Sequence, residues 1–226
     1  MLWMGMNEQA YPWLSSESLG VLDARHNQED TPMQQDTSLP AGRPDRKSYV
    51  VFIDEAGFML NPLVRRTWAP RGKTPVIQVF KPHERISVVG AMTLALRTKR
   101  FGFQFHLLPD NANFCGEDIV DFIKGIRRKL RGNITLLWDM IEIHRAKPVM
   151  NCVAKHQTVR LEYFPPYAPE LNPVDQVWSY VKYGRLANYC PDSLTELRER
   201  ITAEFDRLTK QPDLLASLFC HTGLTL

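Results

Sequence analysis

Two short apolar runs in this chain stop on an aspartate: "VVFID" at 50–54 and "TLLWD" at 135–139. Runs of that length, rich in β-branched and aromatic residues, predict buried strands. A carboxylate that ends a buried strand stands at the strand's carboxyl end, where α/β sheets bind their ligands. If the two strands are parallel neighbours, their carboxylates face one crevice. The rest of the chain has to supply a sheet that makes them neighbours.

The pattern around them does so. Strands are predicted at 48–54, 85–96 ("RISVVGAMTLAL"), 101–108, 133–139 and 159–164, the third with Phe101, Phe103, Phe105 and Leu107 on alternate positions. Helices are predicted at 116–130, where Ile119, Phe122, Ile123, Ile126 and Leu130 form one stripe, and at 145–156, 173–186 and 193–210. Residues 55–83, punctuated by Gly57, Pro62, Pro70, Gly72, Pro75 and Pro82, read as a long irregular or hairpin insertion. The order β-β-β-α-β-α-β-α-α describes an α/β fold: a mixed sheet, three antiparallel strands then parallel ones, flanked by helices. No internal repeat is present.

Residues 1–48 are rich in Ser, Asp, Gln, Asn and Pro with little to bury, and read as a poorly ordered segment. They lack a helix-turn-helix pattern, and residues 49–226 form the folded domain. No apolar run approaches the roughly 20 residues of a membrane span, and the start has neither the basic region nor the apolar core of a signal peptide. Cys115, Cys152, Cys190 and Cys220 are scattered without a CxxC pair, as reduced thiols in a cytoplasmic protein would be. The net charge of +3 hides an acidic start and a basic remainder. Residues 61–100 hold nine Lys and Arg against one acid, Glu84, which suits a polyanion partner or a solvated basic face.

A third acid, Asp175, heads the predicted helix at 173–186, behind the rigid lead-in "YFPPYAPELNP". Singly, each aspartate serves as an ordinary helix cap or helix-end charge. Together, on a basic chain, Asp54, Asp139 and Asp175 point to a site for Mg²⁺ or Mn²⁺, which favour hard oxygen ligands. Three carboxylates can hold two such ions for an in-line phosphoryl transfer.

Asp54 in "FIDEAGF", Asp139 in "LLWDMIEIHRAK" and Asp175 in "YFPPYAPELNPVDQVWSYVK" resemble the three acidic motifs of the DDE-superfamily transposases, in the mariner-like bacterial insertion-sequence branch. "WAPRGKTP" at 68–75 resembles that branch too, and the likeness covers about residues 49–210. It implies a ribonuclease-H-like fold, two Mg²⁺ (or Mn²⁺) ions, and cutting and joining of DNA at transposon ends. It also implies a bacterial, cytoplasmic protein that joins the nucleoid on DNA, with transposon ends and target as partners and a homodimer as its assembly. The third acid is Asp where many relatives have Glu, and Met140 stands where relatives usually carry Asn. The helix-turn-helix region that reads transposon ends in relatives has no counterpart in the first 48 residues, as in a truncated copy.

Around the acids, His144, Met140 and Asn172 are the candidate supporting residues. Glu55 follows Asp54 directly, so strand alternation points it to the other face as a structural residue. Arg65, Arg66, Trp68, Arg71 and Lys73, in the insertion, are the candidate DNA contacts, by phosphate pairing and stacking. Trp178, one turn beyond Asp175, reads as a packing anchor. A phosphate-binding loop is excluded, because Thr67 stands where it needs a glycine before Gly72-Lys73-Thr74. The rival to a transposase is an inactive remnant that only binds DNA, non-specifically and with strong salt dependence.

Overall fold

The computed structural model describes residues 47–73, 75–76, 82–165 and 169–224. Most of the segment expected to be poorly ordered, and part of the proline lead-in before Asp175, lie outside these residues.

Five strands form one sheet in the order β3-β2-β1-β4-β5: β1 (Ser48–Met59), β2 (Arg85–Ala95), β3 (Arg100–Leu107), β4 (Asn133–Trp138) and β5 (Val159–Tyr163). β1 pairs antiparallel with β2 and parallel with β4; β2–β3 is antiparallel and β4–β5 parallel. This is the mixed sheet the sequence predicts. The long strand β1 sits at its centre and carries Asp54.

The helices α1 (Gly116–Lys129), α2 (Lys147–Ala154), α3 (Pro173–Ser179), α4 (Leu194–Thr209) and α5 (Pro212–Cys220) complete three layers. Alternation along β1 assigns each side chain to a layer. Val51 and Ile53 pack with Ile119, Ile123 and Ile126 of α1 and Val149 of α2. Val50, Phe52 and Phe58 pack with Val174 and Trp178 of α3, Phe205 of α4 and Phe219 of α5. Each large apolar side chain fully removed from water contributes about 1.5–3 kcal/mol. With both faces covered, a one-residue slip of β1 would exchange the two cores.

Four features differ from the sequence expectation. β1 runs on through Met59, five residues past Asp54, because Glu55–Met59 stay paired with Arg85–Val89 after the parallel partner has ended. The helix expected at 145–156 divides into a 3₁₀ turn, Glu142–Arg145, and α2, with Pro148 in its first turn. The helix expected at 173–186 becomes π-helical at Tyr180–Arg185. Finally, α5 was not anticipated; Leu215 and Phe219 bury it against the α3 side of the sheet. No helix among the described residues is long and apolar enough to cross a membrane.

Candidate active site

Asp54 shares its face of β1 with Val50, Phe52 and Phe58, so its carboxyl points to the layer that contains α3. The parallel register with β4 pairs Val51 with Leu136 and Phe52 with Leu137. Two residues further on, that register sets Asp54 level with Asp139, one strand spacing of about 4.8 Å away. The matching strand ends read from the sequence are therefore neighbours.

Asp175 reaches the same place through Asn172. That residue is buried and caps α3, its Oδ1 accepting from the Val174 amide at 3.1 Å. Its Nδ2 donates to the Ile53 carbonyl at 3.0 Å, immediately before Asp54. One side chain thus ties the start of α3 to the strand that carries the first acid. One turn beyond Asp175, Trp178 Nε1 donates to Asp54 Oδ2 at 2.7 Å. Trp178 is the packing anchor expected, set edge-on to Phe58, Phe103 and Phe205, and it is also a direct partner of Asp54. The indole fits because Gly90 faces Asp54 across the β1–β2 pair; a Cβ there would lie 2.6 Å from Trp178 Cη2.

The electrostatics follow from these contacts. Burial, then the neighbouring Asp175 and Glu55 charges, push Asp54 up to about 8, against the opposing Trp178 hydrogen bond. Asp175 is also raised, chiefly by burial and further by the charge of Asp139, while a hydrogen bond to Asp54 and the charge of Lys182 oppose the rise. The two carboxyls thus share a proton, with Asp54 as the protonated partner. Lys182, depressed by burial, stands near enough for both acids to pull it back up.

Asp139 is held differently. Its Oδ1 accepts from His144 Nδ1 at 2.7 Å and from the Ile141 amide at 3.3 Å. The His144 hydrogen bond, the largest influence, holds its carboxyl below the usual range. His144 is 0% exposed and lies flat on Trp138, ring centroids 4.3 Å apart. Its Nε2 faces Glu55 Oε1 and Oε2 at 3.0 and 3.2 Å. Burial opposes its charge, but the two carboxylate partners outweigh burial and push it up to about 9. Glu55 does point away from Asp54, as alternation predicts, yet it belongs to the site through His144. The separation of 89 residues hid that contact; the adjacent Asp54-Glu55 pair was its only sequence signal.

Met140 is 41% exposed, and the support that its thioether could not give Asp139 comes from His144 and the Ile141 amide. Among the candidate DNA contacts, Arg65 is committed to the protein itself. Its backbone N–H donates to Asn188 Oδ1 at 2.8 Å, its Nη1 donates to the Tyr183 carbonyl at 3.2 Å, and its guanidinium covers the Tyr183 ring. Together with a bridge from Leu63 to Ala187, these contacts fix the base of the insertion to the segment that follows α3. Arg66, Arg71 and Lys73 are exposed, and Trp68 is 100% exposed rather than packed on its own sheet.

Among the described residues, no three His, Cys, Asp or Glu side chains stand close enough together to form a ready metal cluster. The donor chemistry nonetheless fits a hard divalent cation. Two paired carboxyls hold a proton for want of a counter-charge, and a third carboxylate stands near enough to raise Asp175.

The family model for the DDE superfamily endonucleases matches residues 49–198. The chain belongs to the DDE superfamily. Its fold is ribonuclease-H-like, as in the Mos1 mariner transposase. The Mos1 paired end complex with Mg matches with a TM-score of 0.54 at 15% identity, over 77% of this chain and 53% of that one. The paired end complex with Mn gives 0.52 at 14%, over 77% and 55%, and the Mos1 strand transfer complex gives 0.52 at 14%, over 78% and 55%. At these identities the likeness is one of fold, and this chain spans about half the length of the Mos1 chains. No curated protein matches the chain.

Proposed function

We propose that this chain is the catalytic domain of a transposase, a DNA endonuclease and strand-transferase. Asp54, Asp139 and Asp175 would together hold two divalent cations, Mg²⁺ or Mn²⁺. The observation that carries the reading is the Asp54–Asp175 pair, two carboxyls held together by Asn172 and Trp178 with a shared proton where a cation would serve. Like-charged carboxylates are kept so close only where a proton or a metal ion neutralises them. What bound ions supply is activation of the attacking water or hydroxyl and stabilisation of the leaving oxygen in an in-line phosphoryl transfer.

The protein's own residues do the positioning. Asn172 fixes where α3 begins and hence where the Asp175 carboxyl stands. Trp178 holds Asp54 through one oxygen, and His144 holds Asp139 through one oxygen, Oδ1. The Asp139 Oδ2 makes no hydrogen bond among the described residues and is left to face a ligand. Lys182 offsets part of the acids' charge. Arg66, Trp68, Arg71 and Lys73 take DNA by phosphate pairing and stacking, while Arg65 anchors the segment that presents them. Transposon ends and target DNA are the substrates this reading names, and a homodimer on two ends is its assembly. The organised setting of all three acids favours an active site over an inert remnant.

Calorimetric titration with Mn²⁺ tests the site. Wild type should bind and Asp54→Asn should bind weakly; identical isotherms would sink the assignment. Metal-dependent nicking of plasmid DNA should vanish in Asp139→Asn, and cutting at the wild-type rate would place the activity elsewhere.

A further inference from the structure

We propose that Glu55 is a positioning residue for the second metal ligand, acting through His144 to keep Asp139 at full ligand strength. The inference rests on the metal-site reading of Asp139. Its basis is the continuous chain Glu55–His144–Asp139, which joins the two catalytic strands from the face opposite the Asp54–Asp175 pair.

Both ring nitrogens of His144 face carboxylate oxygens, at 2.7 Å on one side and 3.0 Å on the other. Carboxylates only accept, so the ring donates at both positions and carries a positive charge. A lone imidazolium against Asp139 would cancel that carboxylate's charge and leave a cation beside the metal. With Glu55 the three groups sum to one negative charge, that of a free carboxylate. Asp139 then gains a fixed orientation without losing attraction for a divalent ion. Trp138, parallel to the imidazole, and the absence of solvent at the ring hold the strut in one geometry. Such outer partners tune metal affinity by about 10- to 100-fold in other sites.

The logic gives a test that a merely structural role would fail. Mn²⁺ affinity is measured by calorimetry, without DNA, for four proteins: wild type, Glu55→Gln, His144→Gln and the double variant. Glu55→Gln keeps an acceptor for His144 but removes the balancing charge, so binding should weaken by about ten-fold. His144→Gln keeps an amide donor for Asp139 without a charge and should stay within about three-fold of wild type. In that background Glu55→Gln should change nothing further, because no cation remains to balance. Duplex DNA affinity should be equal in all four.

Wild-type Mn²⁺ binding by Glu55→Gln would overturn the proposal, and so would a ten-fold loss that persists in the His144→Gln background. If Glu55→Gln fails to fold, the comparison of His144→Gln with the double variant decides alone. Asp139→Asn run alongside separates the levels. Unchanged binding there would remove the metal-site reading itself, whereas loss there with a silent Glu55→Gln would remove only the strut.

Discussion

Gly90→Ala is the smallest change that should damage this site without touching an acid. An alanine Cβ would lie 2.6 Å from Trp178 Cη2, 2.9 Å from Phe103 Cζ and 3.0 Å from Trp178 Cζ2. Carbon atoms rest about 3.5–4.0 Å apart, so the indole has to retreat by about 0.9 Å. A displacement of that size along the Nε1–Oδ2 direction would lengthen the 2.7 Å bond to Asp54 beyond about 3.5 Å, where it no longer counts as a hydrogen bond. Retreat is resisted, because Phe58 and Phe205 stand edge-on to the same indole at 6.1 and 5.7 Å. Overpacking of this kind costs about 1–3 kcal/mol. At roughly 2–4 °C per kcal/mol for a domain of this size, melting should fall by about 2–12 °C.

The loss should extend to function. The Trp178 hydrogen bond favours ionised Asp54. Weakening it leaves the carboxyl more firmly protonated, so Mn²⁺ has to displace a tighter proton at neutral pH. Gly125→Ala is the control: its Cβ meets nothing nearer than Arg128 Nη2 at 3.9 Å, and in the middle of α1 it should stabilise by about 0.5–1 kcal/mol. Thermal melts and Mn²⁺ calorimetry on both variants decide the matter. Should Gly90→Ala melt within about 1 °C of wild type and bind Mn²⁺ equally well, the indole has room to move and the reasoning is wrong.

Three further outcomes follow from the same geometry. The folded-state pKa of Asp54 is raised from 3.8 to about 8, so its contribution to metal-free stability is fully present below pH 3.8 and is lost as pH rises through about 8. His144, raised to about 9, loses its contribution in an overlapping window, so melting curves in EDTA from pH 6 to 9 have to be compared with those of Asp54→Asn. The variant should show the shallower decline, and added Mg²⁺ should restore most stability at the alkaline end; parallel declines would refute the assignment. Asn172→Ala removes the α3 cap and leaves the buried Ile53 carbonyl without its donor, which together should cost about 2–4 kcal/mol in chemical denaturation. Asn172→Asp keeps the cap but sets a carboxylate against that carbonyl, and should restore little. Met140→Asn, at an exposed position beside an Asp139 already held by His144, should raise nicking by at most a few-fold; a gain of a hundred-fold would mean that the residue after Asp139 contributes far more than the present contacts suggest.

What the sequence revealed, and what it hid, divides along a physical line. Strand alternation and strand-end position are local, so Asp54, Asp139, their shared crevice and the outward turn of Glu55 could be read from five-residue runs. Asp175 could be read because proline rigidity and helix capping are local as well, although Asn172 fastening α3 to Ile53 was visible only as the residue type for a cap. Contacts between distant residues were not legible. The indole of Trp178 reads as packing, and only the β1–β2 register, which places Gly90 opposite Asp54, shows why that indole reaches the carboxyl. His144 looked like a surface residue at a helix start because nothing local buries it. Its burial comes from the flat Trp138 ring and from Glu55, 89 positions earlier. The two adjacent acids at 54 and 55 thereby serve one site from opposite faces of β1, one directly and one through a buried cation. Consecutive carboxylates on a central strand are costly unless both are answered. An acid pair at the end of a buried strand, with a distant histidine just past a second strand-end aspartate, is therefore a pattern that sequence reading can look for.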